Sequence, residues 1–250
     1  MLGLPAHVTA CLFDLDGVLT QTARVHNAAW KATFDEFLQR HAAISGQPYR
    51  PFDPGPDYNR YVDGRPRADG VRAFLASRGV VLPEGTPDDP PEAETVNGVG
   101  NRKNVRLLQE LRTHGVDVYP GSVDYLTAAA AAGLRRAVVT ASANGAEVVA
   151  AAGLEPLLEA RVDGLVARAQ ALRGKPYPDT FLAGAKLLGV EPAQAAVFED
   201  ALAGVAAGRA GGFGYVVGVD RVGQADELRA HGADVVVGDL AELLDEGRGA

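Results

Sequence analysis

The chain has a single cysteine, Cys11, in 250 residues. That excludes an intramolecular disulfide and any zinc site built from cysteines. Positive charge is also in deficit, with 24 Lys and Arg against 32 Asp and Glu, a net charge of −8. An acidic balance of this size argues against nucleic acid or an anionic membrane as the main partner. Any anionic substrate must therefore be held by locally placed cations. No apolar run approaches the ~18 residues a membrane span requires, and the opening MLGLPAHVTA lacks the charged start and apolar length expected of a signal peptide. The expectation is a soluble cytoplasmic monomer with no membrane partner. A Gly-x-x-x-x-Gly-Lys-[Ser/Thr] phosphate loop is absent, the glycines of GRAGGFG (208–214) do not spell a dinucleotide fingerprint, and there is no internal repeat.

Present instead are short apolar runs that read as strands buried on both faces: Thr9–Leu15, Arg136–Thr140, Ala195–Glu199, Gly214–Val219 and Asp234–Val237. Helical stretches lie between them, at Ser122–Ala132, Gly145–Ala152, Asp179–Leu188, Ala201–Ala210, Gln224–Ala230 and Asp239–Asp245. Several stop at a glycine, as helix ends prefer. Strands alternating with helices of this length predict an α/β fold with a doubly wound parallel sheet. One region breaks the alternation. From Thr22 to about Glu110 no buried strand is evident, and helices are expected at about Ala23–Arg40, Asp69–Arg78 and Arg102–Arg112. Nine of the 15 prolines fall between Gln47 and Pro91, marking irregular connections. The region reads as a mostly helical inserted domain, giving a core from 1–21 and 111–250 and a cap from 22–110.

In a doubly wound sheet, ligands bind beyond the carboxyl ends of the strands. The strand ends deliver Asp14 and Asp16, then Thr140 with the loop Ala141-Ser142-Ala143-Asn144, then Glu199 and Asp200. Lys175 joins them from GKPYPD. Four neighbouring carboxylates repel, and without compensation some would stay protonated. A divalent cation offers that compensation, and an all-oxygen donor set suits Mg²⁺. With Asp14 and Asp16 two residues apart, one can bond covalently to a phosphoryl group while the other moves protons. Thr140 and the amides of the following helix start suit the phosphoryl oxygens.

These motifs, in this order, resemble those of the haloacid dehalogenase superfamily of phosphoryl-transfer enzymes. Asp14-Leu15-Asp16-Gly17-Val18-Leu19-Thr20 is similar to its first motif, Thr140 to its second, Lys175 to its third and Glu199-Asp200 to its fourth. The insertion sits where that family places a helical cap. Within the superfamily the chain most resembles the β-phosphoglucomutase subfamily, through FDLDGVLTQTARVHNAAWK, GRPRADGVRAFL, GNRKN and TASANG. The resemblance implies catalysis by Asp14, Asp16, Thr140 and Lys175, and a magnesium ion on Asp14, Asp16, Glu199 and Asp200. It also implies substrate contacts from His26, Trp30, Gly64, Arg67, Lys103, Asn104, Ser142 and Asn144, with Arg67 holding a distal phosphate. The implied reaction interconverts β-glucose 1-phosphate and glucose 6-phosphate through an aspartyl-phosphate on Asp14. Two departures stand out: Gln21 occupies a hinge position where an aspartate is usual, and the proline-rich cap stretch is long.

Taken singly, each residue has an ordinary explanation. Asp14 and Asp16 could cap a turn, Glu199-Asp200 could open a helix, Lys175 and Arg67 could be solvated charges, and Trp30 could be core. Two rival functions use similar parts. A sugar-phosphate phosphatase differs only in letting water attack the phosphoaspartate. A non-catalytic phospho-acceptor module shares the sheet, the aspartate, the Thr and the Lys, but needs neither an inserted cap nor a second aspartate two residues on.

Overall fold

The computed structural model describes residues 2–245. By internal contacts the chain divides into two units, one formed by residues up to Gln21 and from Val116 onward, the other by Thr22–Gly115. Strand β1 (Ala10–Phe13) opens the first unit. The second unit then intervenes, with α1 (Ala23–Ser45), α2 (Arg67–Ser77) and α3 (Val96–His114). The first unit resumes with α4 (Pro120–Ala131), β2 (Arg135–Val139), α5 (Gly145–Ala151), β3 (Ala160–Val162), α6 (Gly164–Ala169) and α7 (Asp179–Leu188). It closes with β4 (Ala195–Glu199), α8 (Leu202–Ala210), β5 (Tyr215–Val219), α9 (Ala225–Ala230), β6 (Val235–Val237) and α10 (Glu242–Asp245).

All six strands are parallel, in the order β3-β2-β1-β4-β5-β6. The doubly wound α/β sheet is the one anticipated. Strand order reverses between β1 and β4, and that switch point is where such sheets open a crevice for ligands. Every residue of β1 and β4 is buried, as expected of strands covered on both faces. Phe13 stacks on Phe198 at 4.5 Å between ring centroids, fixing the two switch-point strands side by side. Glycines permit the close covering: a Cβ at Gly184 on α7 would come 2.8 Å from the Leu12 side chain. Strand β3 escaped the sequence reading. It is three residues at the sheet edge, and its exposed Arg161 interrupts the apolar pattern.

The inserted unit has no sheet among its described residues, so its stability rests on an aromatic cluster. The chain has one Trp and eight Phe, and Trp30 with Phe34, Phe37, Phe52 and Phe74 are packed here. On α1 the buried Trp30, Phe34, Phe37 and Leu38 recur at helical spacing and form one apolar stripe. Trp30 stacks on Phe34 at 4.9 Å, and Phe34 meets Phe74 at 4.2 Å. Helix α1 ends at Gly46, whose left-handed backbone (φ +71°) suits a residue without Cβ. Helix α3 runs from Val96 to His114, longer at both ends than expected. Thr95 caps its start, its hydroxyl accepting from Gly98 N at 2.9 Å. Its unbroken course to His114 moves the return to the core unit from residue 111 to Val116.

Candidate active site

The core rim is built from the ends of β1, β2 and β4. Asp14 lies one residue past β1, and its amide donates to Phe198 O at 2.9 Å, so the β1–β4 ladder carries on through it. A turn follows in which Gly17 N donates to Thr20 O (2.8 Å) and Thr20 N to Leu15 O (2.9 Å). Gly17 is required there. Its φ is +90°, and a Cβ would run into the Asp200 carboxylate.

Lys175 is enclosed, and its ammonium ion-pairs with both Asp14 and Glu199 while donating to Val139 O at 3.1 Å. Burial pushes the Asp14 carboxyl well above the usual carboxylate range. Lys175 draws it back, and the Glu199 and Asp16 charges raise it again. Burial works against the Lys175 charge, yet Asp14 and Glu199 reverse that and hold it above an ordinary lysine. One ammonium thus faces more carboxylate charge than it can neutralise. Among the described residues, Asp14, Glu199 and Asp200 form a group whose ligand oxygens lie within 4.8 Å of one another, all buried. Three converging hard oxygens with excess negative charge fit a divalent cation of the magnesium type.

The Asp16 carboxylate is not part of that triplet. Its Oδ2 instead accepts from Thr140 Oγ at 3.3 Å. Thr140 also accepts from Ser142 N (3.0 Å), and the Ser142 hydroxyl accepts from Asn144 N (3.2 Å), which shapes the turn into α5. Sequence reasoning missed two supports. Gly204 on α8 leaves room for Glu199, since a Cβ there would strike its carboxylate. Gln224 donates to Asp200 O at 3.0 Å, which fixes the backbone of the second acid in the pair. Gln21 has its own explanation: its amide donates to Val118 O at 3.0 Å, where an aspartate would have no donor to offer.

In the inserted unit, Lys103 is buried, 3.1 Å from His26 Nδ1 and 5.1 Å above the Trp30 ring. Trp30 itself is only 4% exposed and belongs to the aromatic cluster. That placement agrees with the core-packing alternative for Trp30, and the ring is a seat for the Lys103 ammonium. Arg67 stands at the start of α2, with its stem against Gly100 of α3, where a Cβ would lie 3.0 Å from Arg67 Cγ. It is half-buried, and burial alone lowers its pKa; no carboxylate answers it among the described residues. Other half-buried arginines of the unit are answered, Arg78 by Asp57 and Arg106 by Glu36. Gly64, two residues before Pro66, adopts φ +65° in the turn leading to Arg67. Asn104 follows Lys103 on α3 and is partly exposed.

The family model for haloacid dehalogenase-like hydrolases matches residues 8–212. The chain therefore belongs to that family, whose members are phosphotransferases and phosphatases. Among characterised relatives it is 58% identical to the β-phosphoglucomutase of Mycobacterium tuberculosis, over 98% of this chain and 94% of that protein. It is 30% identical to the β-phosphoglucomutase of Bacillus subtilis, over 95% and 92% of the two chains. The crystal structure of a β-phosphoglucomutase from Clostridium difficile superposes with a TM-score of 0.73 at 24% identity, covering 96% of this chain and 95% of that one, which speaks for the fold alone. Within the family, the chain is a β-phosphoglucomutase-like enzyme.

Proposed function

We propose that the enzyme interconverts β-glucose 1-phosphate and glucose 6-phosphate, with Asp14 as the covalent phosphoryl carrier. The observation that carries this reading is the seating of Asp14. Asp14 and Glu199 both sit on switch-point strands, pair with the buried lysine and belong to the metal-type triplet. Glu199, however, is fully enclosed and accepts from Ala201 N at 3.1 Å, whereas the Asp14 side chain keeps 8% exposure at the strand end, where a phosphoryl group can reach it. In the forward half-reaction a sugar hydroxyl attacks the phosphorus of phospho-Asp14. The new sugar O–P bond forms as the Asp14 O–P bond breaks, and the hydroxyl proton passes to Asp16. Asp16, outside the triplet and hydrogen-bonded to Thr140, suits that exchange better than Asp14 does. In the second half-reaction the other phosphate of the bisphosphate is taken up by Asp14, and Asp16 returns a proton to the departing oxygen.

A magnesium ion on Asp14, Glu199 and Asp200 would offset the negative charge of the phosphoryl oxygens. Lys175 holds Asp14 in place and adds positive charge beside it. Arg67, with no carboxylate to answer it among the described residues, suits a phosphate that is not reacting, because its planar fork grips oxygens in pairs. Lys103, with His26 and Asn104, supplies sugar-phosphate contacts, and Ser142 and Asn144 the amide-rich turn after β2. The 58% identity to a protein named β-phosphoglucomutase supports this choice of sugar. Phosphorus NMR with β-glucose 1-phosphate, Mg²⁺ and a trace of glucose 1,6-bisphosphate tests it. Glucose 6-phosphate should accumulate, and release of inorganic phosphate without it would replace the mutase with a phosphatase.

A further inference from the structure

Arg221 lies beyond the stretch matched by the family model, in the loop after β5, and the sequence motifs give it no role. Its side chain is nevertheless largely buried, at 14% exposed. Nε donates to Gly17 O at 2.8 Å, and Nη2 reaches Val18 O at 3.5 Å. Nη1 donates to Gly238 O at 2.7 Å and faces Asp239 at 3.4 Å. The guanidinium plane rests on the Tyr119 ring, 3.5 Å from its centroid. One planar group thus joins three segments: the turn carrying Asp16, the loop after β6, and the residue before α4. Tyr119 is itself tied to that turn, its amide donating to Leu19 O at 3.1 Å, while Ser122 Oγ donates to Val18 O at 2.7 Å.

We infer that Arg221 is a positioning residue for Asp16. The two aspartates differ in what holds them. Asp14 is carried by the sheet, whereas Asp16 sits in a turn whose next peptide carbonyl, that of Gly17, is gripped by Arg221. Releasing the grip leaves Asp14 on its ladder and lets the acid–base carboxylate drift. The loss should therefore appear where a proton must be delivered and not where the phosphoryl group is merely captured. Lysine cannot substitute, because one ammonium cannot span a fork of carbonyls and stack on a ring.

The inference rests on the acid–base role proposed for Asp16, and leaving groups separate the two. A sugar oxygen needs a proton as it departs, while 2,4-dinitrophenolate does not. The experiment measures first-turnover release from β-glucose 1,6-bisphosphate and from 2,4-dinitrophenyl phosphate in wild type, Asp16→Asn, Arg221→Ala and Arg221→Lys. Positioned proton transfer contributes about 10²–10⁴-fold. Arg221→Ala should accordingly slow the sugar phosphate by about 10²-fold and change the dinitrophenyl ester by less than about threefold. Arg221→Lys should show the same split, and added guanidinium should restore part of the rate to Arg221→Ala. Equal losses on both substrates, or none on either, would overturn the inference. Absence of the split in Asp16→Asn would overturn the acid–base reading itself.

Discussion

Replacing Lys175 by Met keeps the volume of the stem and removes its charge. Exposure decides which regime applies. The Lys175 side chain is 1% exposed, and its partners Asp14 and Glu199 are 8% and 0% exposed. A surface ion pair contributes about 0–1 kcal/mol, but removing one partner of a buried pair costs about 3–5 kcal/mol, because the remaining charge is left without compensation. For a chain of this length a loss of 1 kcal/mol lowers the melting midpoint by roughly 2–4 °C. Lys175→Met in metal-free buffer should then melt roughly 6–20 °C below the wild type. Two carboxylates that lost their ammonium also attract a divalent cation more strongly. Saturating Mg²⁺ should therefore raise the variant's midpoint by more than it raises the wild type's. Turnover should fall to background in both conditions, since the ammonium also positions the nucleophile. Calorimetry with and without EDTA decides the matter. A variant melting within about 2 °C of the wild type would show that the triad is solvated and that the charge argument fails. Equal Mg²⁺ shifts in the two proteins would show that Lys175 and the cation do not share the same carboxylates.

Arg67→Ala should raise KM for sugar phosphates by at least about tenfold, the loss of a paired charge-assisted contact. Its midpoint should not fall, because no partner is stranded; a large drop in midpoint would mean that Arg67 is structural. Chelation by EDTA should abolish phosphoryl transfer and Mg²⁺ should restore it, as followed by phosphorus NMR. Activity that persists in EDTA would remove the cation from the proposal. Burial pushes the Cys11 thiol up to about 12 from 9.0, with Arg136 pulling weakly the other way. A raised folded pKa means that the stability it contributes is complete below pH 9 and is lost as pH rises from 9 toward 12. Across that window the wild type should lose about 1.4 kcal/mol per pH unit more than Cys11→Ala does. Urea titrations at successive pH values check this, and parallel curves would refute it.

The rim was legible in the sequence because a doubly wound sheet places strand ends together, so that Asp14, Thr140 and Glu199 could be gathered before any coordinates were known. What stayed hidden depended on packing rather than pattern. Helix α3 was expected only from Arg102, and the structure extends it back through Gly98 and Gly100. Both are close-approach positions, Gly98 against Ala93 O and Gly100 against the Arg67 stem. Trp30 was grouped with ligand contacts by the family resemblance while a core role stood as its ordinary explanation, and its stack on Phe34 shows what the core role consists of. Asp16 was grouped with the metal ligands by the family resemblance. Two residues along a turn place its carboxylate against Thr140, outside the triplet of Asp14, Glu199 and Asp200. Spacing identifies which residues meet at an edge but not which way each side chain turns there.

The two units carry electrostatic imbalances of opposite sign. The core rim gathers carboxylates in excess of its single buried lysine, and burial has already pushed Asp14 toward its neutral form. Left as it is, that cluster costs stability; it becomes favourable only when a cation of high charge density enters. The inserted unit has the opposite imbalance, a half-buried guanidinium that no carboxylate answers among the described residues. It becomes favourable only when an anion with two or more oxygens reaches it. A divalent cation relieves the first deficit and a phosphate the second, each within its own unit. A neutral sugar relieves neither, so glucose should bind much more weakly than its phosphates. Calorimetric titration of glucose, glucose 6-phosphate and the bisphosphate would expose the difference. Comparable affinities for all three would mean that the unanswered charges serve some other purpose than substrate recognition.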